Sequence, residues 1–328
     1  MRILVVHEDK RSYGKGGGAE TLLRDQTQAL RALGHEVEWY QGETAIQDRV
    51  AAFKPDICHV MTVHNFMGFG PVRWLQKNSI PHVWAIMDYW PFCGGRMLLT
   101  DGDVSCAAVC GVCDNVCDNN PVAAHFLSTV NHSPIMALNE YSADIYRRNG
   151  MRCDYVATLG VDHDYYHPEP SRRIDGRILT MSAWPASPTK GMHIFKAALK
   201  MTGYSGSLIT GQPRDKVRDL LQTADIFVFP SCYQETWGLC LTEALACGCA
   251  CIASDVAGPR AQIEHGVNGL LVEGRNSQAL ADALVQVKTD KALKARLQRG
   301  ARASIEQRMT LAHMATQLET VYRSVIDG

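Results

Sequence analysis

Apolar runs of strand length take turns with helix-periodic stretches along this chain, and they do so in two successive series. The first series places strands at 2–7, 35–40, 56–61, 82–87, 134–138 and 153–157, with helical patterns between them such as 19–33 and 140–149. The second places strands at 177–182, 206–210, 225–229, 249–253 and 270–272, followed by helices at roughly 191–201, 213–223, 238–247, 277–288 and 291–307. Strands that are apolar along their length need helices on both faces, and a helix between consecutive strands makes them parallel. The alternation therefore predicts doubly wound α/β domains, with ligands beyond the carboxyl ends of the strands. Between the series lies a polar segment, Gly160-Val161-Asp162-His163-Asp164-Tyr165-Tyr166-His167-Pro168-Glu169-Pro170, which suits a domain boundary. The last stretch carries Leu311, Met314, Leu318, Val321, Tyr322 and Val325 at helical spacing.

Bulk properties narrow the class. A length of 328 residues supports two cores, and 46% hydrophobic with 20% charged residues describes a globular chain rather than a disordered one. A net charge of -1 supplies no basic field for nucleic acid or an acidic membrane. No apolar run has bilayer-spanning length, and Met1-Arg2-Ile3-Leu4-Val5-Val6-His7 reads as a buried strand rather than a signal peptide. The expectation is a cytoplasmic protein with at most peripheral contact at the inner face of a membrane. In that reducing setting the 12 cysteines favour thiols or metal ligands over disulfides.

Chemistry is concentrated at strand ends. Glu235 and Glu243 flank a strand-to-helix turn, Phe229-Pro230-Ser231-Cys232-Tyr233-Gln234-Glu235-Thr236-Trp237-Gly238-Leu239. A helix start offers free N–H groups and a favourable dipole to phosphate. Carboxylates repel phosphate, so these two suit hydroxyls, as on a sugar and a ribose. Glu243 sits in an otherwise apolar helix and needs a partner there, a structural salt bridge being the bland alternative. Gly16-Gly17-Gly18-Ala19-Glu20 follows the first strand, where glycines let backbone approach a ligand; a plain flexible loop is the other reading. Lys190-Gly191 follows the first strand of the second series, and a lysine before a helix start suits a diphosphate, against the alternative of a solvated surface lysine. Cys93, Cys106, Cys110 and Cys113, with Cys117 nearby, have a spacing that suits tetrahedral zinc, free or disulfide-bonded cysteines being the alternative. Four thiolates leave no open position, so such a zinc is structural. Cys240, Cys247, Cys249 and Cys251 read as small core residues.

In this order and spacing the motifs resemble the retaining glycosyltransferases of the GT-B fold, family four (group 1 type). The matching pieces are Gly17-Gly18-Ala19-Glu20, Leu159-Gly160-Val161-Asp162, Lys190-Gly191, Glu235 with Glu243, and Gly269-Leu270-Leu271-Val272. The resemblance implies two facing Rossmann-like domains with a cleft between them. Residues 1–159, with a Cys-rich insertion at 93–117 and the C-terminal helix 311–328, form the acceptor domain, and 160–310 form the nucleotide-sugar-binding domain. It further implies that Gly17 and Gly18 line the diphosphate, and that Lys190 neutralises the leaving group. Glu235 holds hydroxyls of the transferred sugar, and the amides of Trp237, Gly238 and Leu239 touch phosphate or sugar. Glu243 holds the ribose, and Thr210 and Gly211 lie in the base-binding loop. By position, His64 is expected to contact the acceptor and Asp88 to act as its base.

The implied activity is transfer of a hexosyl group from a nucleoside diphosphate sugar, expected to be a UDP-sugar, to an acceptor hydroxyl with retention. The acceptor is a glycan, a lipid-linked sugar or a small molecule, as in cell-surface polysaccharide assembly. No catalytic metal is expected and no nucleic acid partner. The rival reading is a non-catalytic nucleotide- or glycan-binding homologue. Three departures from the family pattern bear on this. Met87-Asp88 stands where the family often has His-Asp. Met181-Ser182-Ala183-Trp184 lacks the arginine of Gly-Arg-Leu, leaving Arg214 or Arg260 as substitutes. The second domain is also short, which predicts a smaller C-terminal sheet.

Overall fold

The computed structural model describes residues 1–8, 18–61, 67–89 and 128–328. These form two compact units, one from the described residues up to 159 together with 312–328, the other from 160–311.

The first unit is a six-stranded sheet in the order β2-β1-β3-β4-β5-β6, built from β1 (Arg2–Val6), β2 (Glu36–Tyr40), β3 (Ile57–Val60), β4 (His82–Ala85), β5 (Ile135–Ala137) and β6 (Tyr155–Val156). Every pairing is parallel, with Val5 opposite Trp39 on one side and His59 on the other. Ile3, Leu4, Val5 and Val6 have no exposed surface, as a central strand covered on both faces requires. The connecting helices are α1 (Gly18–Ala32), α2 (Ile46–Phe53), α3 (Gly70–Lys77) and α4 (Glu140–Arg148). The sequence marks α4 at both ends. The Asn139 side chain accepts from the Ser142 N–H at 2.8 Å, Glu140 opens the first turn, and Arg147 and Arg148 close the last. The α2 helix is marked less clearly: Asp48 lies in its first turn, but its N-cap is Ala45, no basic residue closes it, and its buried residues are Ile46 and Phe53 alone.

The chain returns to this unit through its last helix. The hydroxyl of buried Tyr322 lies 2.6 Å from His59 Nδ1, the Gln317 carboxamide accepts from the Thr158 N–H at 3.0 Å, and Gln26 Nε2 donates to Tyr322. Burial drives the His59 imidazole down to about 3, so it is neutral at any ordinary pH.

The second unit is a five-stranded parallel sheet in the order β11-β10-β9-β7-β8, one strand fewer than the first. Its strands are β7 (Ile178–Met181), β8 (Gly206–Ile209), β9 (Ile226–Phe229), β10 (Ala250–Ser254) and β11 (Leu270–Val272). The helices are α5 (Met192–Thr202), α6 (Arg214–Thr223), α7 (Leu239–Ala246), α8 (Ala257–Gln262), α9 (Ser277–Thr289) and α10 (Lys291–Arg308), and α11 (Leu311–Asp327) is the returning helix. Its core packs Ile178, Ile226, Val228 and Ile252 of the sheet against Phe195, Leu284 and Leu297 of the helices. Below the sheet the Asp225 carboxylate is fully partnered, by Lys294 Nζ at 2.6 Å, Gln298 Nε2 at 2.8 Å and the Gly176 N–H at 2.8 Å. Gly160 is obligatory at the start of this unit. A Cβ there would sit 2.3 Å from the Thr310 carbonyl oxygen, where Val161 N donates to Met309 O at 3.0 Å.

Candidate functional site

The second sheet reverses its strand order between β7 and β9, because β8 lies to one side of β7 and β9 to the other. Loops at such a switch point diverge and leave a crevice beyond the strand ends. The loop after β7 carries Lys190 and the loop after β9 carries Glu235.

These loops are locked together by backbone. After β7 a 3-10 turn, Pro188–Lys190, ends on Gly191 at φ 67°. A Cβ on Gly191 would lie 1.7 Å from the Pro230 carbonyl oxygen, so only glycine passes. Beside it the Cys232 N–H donates to Thr189 O at 2.7 Å. This crossing brings Lys190 Nζ to 2.6 Å from Glu235 Oε1 and 3.0 Å from the Tyr233 hydroxyl. Tyr233 in turn donates to Glu235 Oε2, and Ser231 Oγ reaches Oε1 at 3.4 Å. The Glu235 side chain is 9% exposed and that of Lys190 23%, so one carboxylate is neutralised and triply hydrogen-bonded in a largely dry setting. Tyr233 is the member that spacing alone did not single out.

The turn into α7 is held as tightly. Gly238 takes φ 97°, and a Cβ there would press to 2.8 Å from the Phe229 ring. The Trp237 indole is buried and donates to Thr242 Oγ1 at 2.9 Å, which donates to Gln262 at 2.8 Å. Gln262 Nε2 returns a bond to the Trp237 carbonyl at 2.8 Å. Trp237 is thus an anchor by its side chain, and only its backbone can serve a ligand. Helical bonding starts with Leu241 N to Gly238 O at 2.9 Å, so the amides of Gly238 and Leu239 precede the ladder.

Glu243 lies one turn further along α7, 9% exposed. Its charge acts on the hydroxyl of Tyr166, which also feels the Arg214 guanidinium. Burial first, and the Glu243 charge second, push that phenol well above its ordinary range. The Arg214 guanidinium lies 4.7 Å over the Tyr165 ring and 5.5 Å from that of Tyr166. Thr210 and Gly211 form an exposed turn after β8, with Gln212 Nε2 donating to Thr210 O at 3.3 Å. Of the two arginines considered as substitutes for the absent one, Arg260 is engaged by Asp255 at 2.5 and 3.0 Å, and Arg214 is stacked on the tyrosines.

Asp88 and Met87 belong to the first unit, just past β4, where Tyr146 donates to the carbonyls of Ile86 at 3.1 Å and Asp88 at 3.3 Å. Met87 lines a small cavity there with Gln26, His59, Met136 and Leu318. Gly18 opens α1. Gly17, His64, Cys93, Cys106, Cys110 and Cys113 lie outside the described residues. Among the described residues no cluster of three or more His, Cys, Asp or Glu is arranged to hold a metal, and no helix is long and apolar enough to cross a membrane. Cys247, Cys249 and Cys251 are fully buried, as their reading as core residues requires, whereas Cys240, read the same way, is only half-buried at the start of α7. Burial pushes the Cys249 thiol up to about 12, which removes it as a nucleophile.

Residues 205–304 match the family described as glycosyl transferases group 1. Alpha-maltose-1-phosphate synthase of Mycobacterium tuberculosis is 34% identical over 353 aligned positions, 97% of this chain and 86% of that protein. N-acetyl-alpha-D-glucosaminyl L-malate synthase of Bacillus anthracis is 34% identical over 113 residues, which are 34% of this chain and 29% of that enzyme. Among solved structures, HepE of Anabaena in complex with UDP-glucose superposes with a TM-score of 0.72 at 18% identity, covering 99% of this chain and 100% of that one. The class defined by fold and sequence is therefore the GT-B glycosyltransferases. The chain belongs to the glycosyl transferases group 1 family.

Proposed function

We propose that this chain is a retaining hexosyltransferase that moves a sugar from a nucleoside diphosphate donor, a UDP-sugar, to an acceptor hydroxyl. The observation that carries the reading is the Lys190–Glu235 pair at 2.6 Å, assembled from two separate loops at the switch point of the second sheet. A fold shared with a protein solved with UDP-glucose supports the choice of nucleotide.

Charge accumulates on the diphosphate as the sugar–phosphate bond breaks. Lys190 and the leading amides of α7 stabilise that charge more in the transition state than before it. Donor arrival draws Lys190 toward phosphate, and Glu235 keeps the Tyr233 and Ser231 hydroxyls while its freed lone pairs accept from sugar hydroxyls. Gly17 and Gly18 line the diphosphate, Glu243 takes a ribose hydroxyl, and Thr210 and Gly211 border the base. On the acceptor side His64 contacts the incoming group and Asp88 receives its proton. Attack from the face that the diphosphate leaves, through an oxocarbenium-like transition state, retains the anomeric configuration. The acceptor is a glycan, a lipid-linked sugar or a small molecule, and the reading assigns no catalytic metal.

The test is UDP release from a panel of nucleotide-sugars, with the anomer of the product assigned by NMR. Release abolished by Lys190→Ala and Glu235→Ala supports the proposal. Glu243→Ala is expected to weaken UDP binding about tenfold, the share of one charge-assisted hydrogen bond. Nucleotide binding with no turnover of any donor favours a non-catalytic homologue, the reading to which Met87, a residue with no hydrogen to donate, lends weight.

A further inference from the structure

Among the described residues three that are not glycine take positive φ: Lys54, Ser79 and Arg275. Lys54 and Ser79 end α2 and α3, where the left-handed conformation is ordinary, and their N–H groups bond back to Val50 and Gln76. Arg275, at φ 62°, ends no helix. It lies between β11 and α9, immediately before the cap Asn276, whose side chain accepts from the Ala279 N–H at 2.9 Å. Glycine would occupy this backbone conformation without strain, so the arginine side chain needs another reason to be there.

That reason is visible at its far end. Arg275 Nε donates to the carbonyl oxygen of Cys232 at 3.0 Å, across 43 positions of sequence. Cys232 stands three residues before Glu235, and its own N–H donates to Thr189 O at 2.7 Å. One residue thus has its carbonyl tied to the segment after β11 and its amide tied to the loop after β7. Arg275 is half-buried, and its Nη2 is buried without a hydrogen-bond partner, so part of the guanidinium gives up water while Nε makes this bond.

We infer that Arg275 is a positioning residue, holding the Ser231–Glu235 loop in place through the Cys232 carbonyl. Its effect on catalysis rests on the sugar-contacting role proposed for Glu235, whereas its hold on the loop does not. Lysine would not substitute, because a flexible ammonium lacks the fixed Nε–H direction.

The test compares Arg275→Gly and Arg275→Asn with the full-length parent, by hydrogen exchange of individual segments, thermal unfolding and donor turnover. Asparagine tolerates the left-handed backbone and keeps the turn stiffer than glycine does. In both variants the loop amides of Cys232 and Glu235 are expected to exchange about tenfold faster, the share of one charge-assisted hydrogen bond. The amides of α9 exchange at the parental rate. Arg275→Gly melts no lower than the parent, because the lost bond is offset by relief of strain. Turnover falls about tenfold while UDP affinity stays within about twofold, since Lys190 and Glu243 are untouched. Parental loop exchange in both variants overturns the inference, as does faster exchange spread equally over α9. Faster loop exchange in a protein whose parent turns over no donor upholds the positioning and overturns the role of Glu235 instead.

Discussion

Lys190→Met tests the site most sharply, because it removes a charge and little volume. The cation lies 2.6 Å from a carboxylate whose side chain is 9% exposed. Stripping one partner from a buried ion pair costs about 3–5 kcal/mol. The lower figure, about 3 kcal/mol, applies here because Tyr233 and Ser231 still donate to the carboxylate. The converse change is cheap. With Glu235→Gln, the ammonium retains the Tyr233 hydroxyl and 23% side-chain exposure, so the loss is about 1 kcal/mol. The double variant strands no charge and should be more stable than Lys190→Met alone, with a coupling of about 2 kcal/mol. In a unit of about 150 residues each kcal/mol moves Tm by roughly 2–4 °C, so Lys190→Met should melt about 6–12 °C lower. Thermal and urea unfolding followed by tryptophan fluorescence read this out, since Trp237 is buried in the same unit. Equal losses in the two single variants, or a double variant whose loss is their sum, would refute the buried-pair argument. All three variants should be inactive in transfer, so the double variant separates lost chemistry from lost stability.

Acidification should weaken the first unit before its carboxylates titrate. The His59 imidazole is held at about 3 when folded against 6.5 in the unfolded chain, so the unfolded state binds the extra proton. Stability is therefore flat above about pH 6.5 and falls below it, by about 2 kcal/mol at pH 5 from His59 alone. Burial lowers His82 as well, which adds in the same direction. Urea midpoints at pH 7.5 and 5 check this; a midpoint unchanged at pH 5 contradicts a neutral buried imidazole. Gly191→Ala drives a Cβ into the Pro230 carbonyl, and should cost more than about 2 kcal/mol and abolish donor turnover. A stable, active alanine variant would show that the crossing of the two loops is not needed. The zinc reading of Cys93, Cys106, Cys110 and Cys113 is tested by elemental analysis of purified protein. About one equivalent supports a tetrahedral thiolate site, and less than about half an equivalent rejects it.

The architecture was legible because parallel strands buried on both faces leave a local signature. Ile226-Phe227-Val228-Phe229 is apolar throughout and stops at Pro230, and the observed strand ends there. The bounds of α2 leave little local trace, because its ends carry no capping side chain and only two of its eight residues are buried. Of the site, the residue types at each strand end were readable: a lysine before a helix start, and two carboxylates around a turn. That Lys190 grips Glu235 was not, because 45 positions separate them and their meeting depends on Gly191 passing the Pro230 carbonyl.

Tyr166 and Arg275 were hidden for the same reason. A tyrosine in a linker and an arginine before a helix cap carry no local mark of the carboxylate or carbonyl they reach. Periodicity and strand-end chemistry are properties of neighbouring residues, so the sequence alone determined the class of fold and the kinds of group at its strand ends. Which groups meet, and which are tied up by others, are contacts across tens of residues. Only the packed structure decided those, because side-chain partners are chosen by distance in space.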